Sequence, residues 1–219
     1  MNPSASTRKQ VLVFRELPPG PLARLQAAHD VTIANPRVAN QAEAFHAALP
    51  QAQGLIGSSF RIDAALLARA PRLTVVSSIS VGVDNYDLAA LRQRGITLCH
   101  TPGVLTETTA DTIFALVMTS CRRIVELANH VRDGRWTRNI DESLFGRDVH
   151  GKTLGIVGYG RIGQALARRA ALGFHMPVLY SNPTPVAAGE AGARARQVGL
   201  DELLAALDSG HLGCAGLDV

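Results

Sequence analysis

Apolar and polar positions alternate along the first hundred residues in two kinds of block. Short β-branched, mostly apolar runs at residues 11–14, 30–35, 54–59, 74–80 and 96–102 read as strands. Between them, residues 21–28, 41–49, 63–70 and 88–94 are built from helix formers, and Asp63 stands where an N-cap belongs. Repeated βα units call for a parallel sheet with helices on both faces, and ligands in such sheets sit beyond the carboxyl ends of the strands.

The pattern then changes period. From Thr106 to Trp136 the apolar positions Ile113, Leu116, Val117, Ile124, Leu127, Ala128 and Val131 recur at helical spacing, which predicts one long helix. Its first half is apolar on the opposite face as well, at Phe114, Ala115, Met118 and Cys121. That half is therefore expected to be buried on both sides, as a helix wedged between two domains would be. Asp133-Gly134 and the polar residues 137–150 read as a linker out of it.

The stretch GKTLGIVGYGRIGQALARRA, residues 151–170, carries the clearest chemistry. A buried strand over residues 152–157 leads into Gly158-Tyr159-Gly160-Arg161-Ile162-Gly163, and a helix opens at Ile162. In such a GxGxxG turn Gly158 permits the tight exit from the strand, Gly160 lets a pyrophosphate approach the backbone, and Gly163 lets helix and strand pack closely. The helix N-terminus offers unpaired N–H groups and a partial positive charge to phosphate. Strand before and helix after are the context that turns this motif into a dinucleotide-site expectation. A second strand, residues 176–183, ends in Ser181-Asn182, where an acidic residue would bind the ribose 2′-OH of NAD. Its absence favours NADP, with NAD the other possibility and Arg161, Arg194 and Arg196 as candidate phosphate partners. Residues 200–210 then read as an amphipathic helix and residues 211–219 as a strand.

Composition narrows the class. With 47% hydrophobic and 18% charged residues the chain is globular, and its 219 residues suit one large or two modest domains. The net charge of +4 is spread over scattered Lys and Arg, with no basic run, so no nucleic-acid partner is expected. Cys99, Cys121 and Cys214 are far apart, odd in number and without a CxxC, which argues against a disulfide framework or a metal site and fits a reducing cytoplasm. The polar opening MNPSASTRKQ has no apolar signal core, and Asp111, Arg122 and Arg123 interrupt the longest apolar helix too early for a membrane span.

Two strand ends remain, SSISVGVDNYD and HTPGVLTETTAD. At Val81-Gly82 a glycine after a strand exposes adjacent backbone N–H groups that could cradle a carboxylate; the alternative is a plain βα turn closed by Asp84 as helix cap. His100 and Glu107 are titratable residues in the second stretch, but no spacing pairs either with a partner.

Taken together, SSISVGVDNYDLAALRQRGI, TPGVLTETTADTIFALVMTSCRRI, LFGRDVHGKTLGIVGYGRIGQALARR and CAGLDV resemble the D-isomer-specific 2-hydroxyacid dehydrogenases, in particular their glyoxylate/hydroxypyruvate reductase and 2-ketogluconate reductase group. The resemblance implies an α/β chain of two domains with parallel sheets: a flavodoxin-like substrate domain over residues 1–105, an interdomain helix and linker over 106–143, and an incomplete Rossmann domain over 144–219. It implies NAD(P)H-dependent reduction of a small 2-oxo acid in the cleft between the domains, and homodimerisation through the nucleotide domain and the long helix. Carried over residue by residue, Val81 and Gly82 resemble the substrate-carboxylate site. Thr106 would lie by the cofactor, Gly160, Arg161 and Ile162 along the pyrophosphate, Ser181 and Asn182 near the adenosine ribose, and Asp218 at the nicotinamide carboxamide. The chain departs from the family after LDELLA, where Ala205 or Ala206 runs straight into LDSGHLGCAGLDV. The family's catalytic Arg, Glu and His have no counterpart in these 219 residues, so no catalytic residue is assigned and near-zero turnover is expected. The alternative function is a non-catalytic nucleotide-binding or dimerising remnant.

Overall fold

The structure is a computed structural model that describes residues 8–186 and 195–208. It divides into two compact units, Met1–Val104 and Leu105–Val219.

In the first unit, strands β1 (Gln10–Val13), β2 (Asp30–Ile33), β3 (Gly54–Gly57), β4 (Val75–Ser78) and β5 (Thr97–Cys99) alternate with helices α1 (Pro19–Ala28), α2 (Ala39–Ala48), α3 (Ala64–Ala68) and α4 (Leu88–Gln93). All strand pairs are parallel and the order is β2-β1-β3-β4-β5, the flavodoxin-like doubly wound order. The central strands supply the middle of the core: Leu12, Leu55 and Val76 pack with Phe14, Phe45, Leu49, Ile62 and Leu67. Phe14 lies so close over Gly57 that a Cβ there would stand 2.5 Å from its ring. Asp63 caps α3 as expected, its carboxylate accepting from the Leu66 N–H at 2.9 Å. Asp84 does not cap α4; Asp87 does, accepting from Ala90 N–H. The chain is held short of the helix by a bridge between Ile62 and Tyr86, with Ile62 N–H donating to Asn85 O and Asp87 N–H to Ile62 O.

The second unit holds α5 (Thr106–Cys121), α6 (Ile124–Arg132), β6 (Leu154–Val157), α7 (Arg161–Arg168), β7 (Val178–Ser181), β8 (Ala195–Gln197) and α8 (Leu200–Asp208). The three strands among its described residues are parallel in the order β6-β7-β8. Among the described residues no helix is long and apolar enough to cross a membrane.

The single helix expected over 106–136 is two helices. Arg123 breaks it with a left-handed backbone (φ 53°), a conformation a non-glycine residue adopts only when its surroundings hold it there. Here the Arg123 guanidinium binds the Glu126 carboxylate at 2.5 and 2.7 Å and the Ser143 carbonyl at 2.6 Å. Arg147 N–H donates to Cys121 O, and a Cβ on Gly146 would come 2.7 Å from that same oxygen. The break is therefore fixed by residues 143–147, which helical periodicity does not register. Gly134 (φ 69°) follows the end of α6 at Arg132, short of Trp136.

Burial on both sides is also not what α5 shows. Ala110 is buried, and Ile113, Phe114, Val117, Met118 and Cys121 pack on the core made by α7, β6 and β7, whereas Leu116 is 62% exposed. The sequence pattern does not announce β8: it is three residues long, Arg196 and Gln197 in it are exposed, and it has no apolar run. The strand expected over residues 211–219 and the Gly210 helix end lie outside the described residues.

Candidate functional site

The first unit presents its candidate site at the carboxyl ends of β4 and β5. Ser78, 2% exposed, turns its hydroxyl to accept from Ser80 N–H at 3.2 Å, and Ile79 N–H donates to Gly57 O at 3.0 Å. The loop after β5 then ties to the loop after β4, Thr101 N–H donating to Ser80 O at 3.1 Å and His100 Nδ1 standing 2.9 Å from Val81 O. Within this frame the N–H groups of Val81 and Gly82 find no acceptor among the described residues, and Gly82 is exposed. Two adjacent unpaired N–H groups on a braced, solvent-facing loop are what a carboxylate needs.

In the second unit β6 runs into the glycine turn. Gly158 adopts φ 91°, open only to glycine without strain, and its N–H donates to Ser181 O at 2.8 Å. A Cβ on Gly163 would stand 2.3 Å from Gly158 O, so this glycine is required by the packing of α7 on the turn; Gly160 faces open space. Gly160, Arg161, Ile162 and Gly163 have N–H groups without a protein acceptor among the described residues, the ordinary consequence of a helix start left uncapped. Arg161 is exposed and forms no ion pair among the described residues. Such a row at a helix N-terminus can hold phosphate through hydrogen bonds and the helix dipole.

Asn182 is the residue whose part the sequence pattern misses. Its Oδ1 accepts from Tyr159 N–H at 3.0 Å, its Nδ2 donates to Thr184 O at 2.8 Å, and its own carbonyl accepts from Gln197 Nε2 at 3.2 Å. It thus fastens the end of β7 to the glycine turn. Tyr159, between the two glycines, points inward: it is 1% exposed and stacks on Tyr180 with centroids 3.7 Å apart. Its hydroxyl is buried without a hydrogen-bond partner among the described residues, and burial, then Tyr180, pushes its pKa up.

Thr106 opens α5. Its neighbour Glu107 binds Arg168 and Arg169, whose guanidinium groups hold the Glu107 carboxyl below the usual carboxylate range, and Arg169 also binds Asp111. Thr106 therefore lies beside the C-terminal end of α7, while the glycine turn lies at its N-terminal end. The open groove lined by Phe114, Leu172, Phe174 and these two arginines belongs to that far end too. Asp218 lies outside the described residues.

The family model for the D-isomer specific 2-hydroxyacid dehydrogenase catalytic domain matches residues 11–213. The chain belongs to this family. A glyoxylate/hydroxypyruvate reductase B from Yersinia enterocolitica is 58% identical over 161 residues, covering 74% of this chain and 49% of that protein. Among solved structures, a protein from Thermus thermophilus superposes with a TM-score of 0.76 at 45% identity, over 89% of this chain and 61% of that one. A D-lactate dehydrogenase from Aquifex aeolicus, solved with NAD and lactic acid, gives a TM-score of 0.74 at 25% identity, over 90% of this chain and 57% of that one. This dehydrogenase-family chain thus spans about half the length of the curated reductase it matches.

Proposed function

We propose that this chain binds NADP(H) in preference to NAD(H) and a small 2-oxo acid of the glyoxylate or hydroxypyruvate type, the substrate-recognition and dinucleotide-holding part of a D-2-hydroxyacid dehydrogenase. The observation that carries the reading is the row of free N–H groups from Gly160 to Gly163, braced through Asn182, in a chain of this family. The pyrophosphate takes that row, with Arg161 beside it. Ser181 and Asn182 place no negative charge where a ribose 2′-phosphate would lie. Val81 and Gly82 donate to the substrate carboxylate. The role of Thr106 and Asp218 at the cofactor rests on the family resemblance alone.

The dinucleotide, when bound, supplies the hydride that turns the 2-oxo carbon into a carbinol. The carbonyl oxygen must receive a proton in the same event, and this chain has no assigned side chain to deliver it. A missing general acid costs about 10²–10⁴ in rate. The 219-residue chain is therefore expected to bind NADPH while reducing glyoxylate and hydroxypyruvate at least about a hundredfold more slowly than an ordinary enzyme turnover of ~10 s⁻¹. NADPH oxidation followed by its loss of near-ultraviolet absorbance checks this, and turnover at a normal enzymatic rate would overturn it.

A second reading concerns assembly. Leu116, Ile124, Val125 and Val131 are each between 48% and 62% exposed on α5 and α6, more large apolar surface than two adjoining solvent-facing helices require. A homodimer that covers this surface is expected, symmetric pairing being the commonest soluble arrangement. Sedimentation equilibrium should give twice the chain mass for the wild type, and the monomer mass for a Leu116→Asp, Val125→Asp double variant with unchanged circular dichroism. A folded wild-type monomer would end this reading.

A further inference from the structure

His100 holds the Val81-Gly82 loop through a hydrogen bond to its backbone. Its Nδ1 lies 2.9 Å from Val81 O. A carbonyl oxygen only accepts, so Nδ1 carries the proton in this contact. The peptide that joins Val81 to Gly82 is planar and trans, so the Val81 C=O and the Gly82 N–H lie in one plane and point in opposite directions. Whatever grips that carbonyl also aims that N–H.

The grip matters because little else in the loop provides it. Gly82 is exposed, and among the described residues a Cβ there would meet only Asp84 Oδ2, at 3.4 Å. A peptide followed by glycine turns over at small steric cost, and a turned peptide would carry the Gly82 N–H to the His100 side and put the Val81 carbonyl, an acceptor, where that N–H now stands. The His100 side is firm by contrast, since the next residue, Thr101, donates its N–H to Ser80 O at 3.1 Å. Two rungs, from Thr101 and from His100, thus clamp the loop after β4 to the loop after β5.

We infer that His100 is a positioning residue: by donating to the Val81 carbonyl it fixes the Val81-Gly82 peptide plane, so that the Gly82 N–H, and not the Val81 carbonyl, is presented to the substrate carboxylate. This rests on the reading that Val81 and Gly82 hold that carboxylate. His100 touches no reacting atom and acts only through the backbone. A residue that donates from the same distance along its side chain should do the same work, and Asn Nδ2 stands as many bonds from Cα as His Nδ1.

The test uses the full 219-residue chain, ¹⁵N-labelled, titrated with oxamate as a non-reducible carboxylate analogue of a 2-oxo acid, with the Gly82 amide resonance as readout. Wild type should show a saturable shift at Gly82. His100→Leu should bind oxamate about tenfold more weakly, the value of one hydrogen bond to a charged group, and His100→Asn should return to within about twofold. Melting temperature and NADPH affinity should stay unchanged in both. Undiminished oxamate affinity in His100→Leu, with the Gly82 shift intact, overturns this inference alone. A parallel fall in melting temperature and NADPH affinity also overturns it, because it marks a merely structural role. Should the leucine variant fail to fold, a tenfold loss in a folded His100→Asn overturns it equally. If wild-type Gly82 never responds to oxamate, the carboxylate reading fails and takes this inference with it.

Discussion

Gly163→Ala is expected to abolish dinucleotide binding and to destabilise the second unit by about 3 kcal/mol, at the upper end of what overpacking costs. The added Cβ would lie 2.3 Å from Gly158 O, an approach that real Cβ atoms do not make. Gly158 has no room to yield, because its φ of 91° is already special and its N–H is bonded to Ser181 O at 2.8 Å. Ile156 Cγ2 stands behind at 3.5 Å. Either the start of α7 lifts off the turn or the turn itself opens, and both misplace the N–H row that the phosphates need. Gly160→Ala makes the informative partner, since none of the described residues lies within 4 Å of its Cβ position and its φ is an ordinary −74°. That variant should keep its melting temperature and still lose dinucleotide affinity, because only a ligand approaching the backbone would meet the methyl group. Thermal unfolding with NADPH titration calorimetry on both variants separates packing from ligand approach. A Gly163→Ala chain that melts at the wild-type temperature would refute the packing argument.

How far the sequence foretells this molecule follows from the range of the forces involved. The five-stranded parallel sheet is legible because its strands are apolar runs between punctuating residues, so pattern and burial coincide at Leu12, Leu55 and Val76. Gly158 and Gly163 are legible because their requirements are local: a positive φ, and a helix start against a strand end. The break at Arg123 is not, since it depends on carbonyls twenty and more positions away at Ser143 and Phe145. A residue with sound helix propensity is pulled into a left-handed conformation by its own side chain. β8 escapes for the opposite reason, being too short and too polar for any period to show. At the candidate site, the glycines of the GxGxxG turn could be singled out by residue type, and the Val81-Gly82 turn only through the family resemblance. Their braces could not, because Asn182 and His100 act through main-chain atoms of loops that only the sheet topology brings together. The nearest sequence signal for Tyr159 was an aromatic residue between two glycines, which marks a side chain that must leave the turn for the core.

Asn182→Asp is expected to reverse the dinucleotide preference proposed for this chain, and the geometry gives the reason it should do so without unfolding the turn. Asn182 divides its carboxamide between two tasks: Oδ1 accepts from Tyr159 N–H at 3.0 Å, while Nδ2 donates to Thr184 O at 2.8 Å and Thr184 Oγ1 at 3.3 Å. Aspartate keeps the first bond, and charge strengthens it. The second oxygen loses the Thr184 carbonyl as an acceptor but gains the Thr184 hydroxyl as a donor, so the expected stability cost is about 1 kcal/mol. What changes is the charge at the end of β7. A carboxylate there accepts from a ribose 2′-OH and repels a 2′-phosphate. At separations of several ångströms near a protein surface, that repulsion is on the order of 1–3 kcal/mol, a roughly ten- to hundredfold fall in NADPH affinity relative to NADH. Asn182→Ala supplies the contrast: it adds no charge but releases the Tyr159 N–H, so both dinucleotides should weaken together. Calorimetric titration of the three proteins with NADPH and NADH distinguishes the two effects. If Asn182→Asp holds NADPH as tightly as the wild type, the ribose lies elsewhere and Asn182 serves only to fasten the turn.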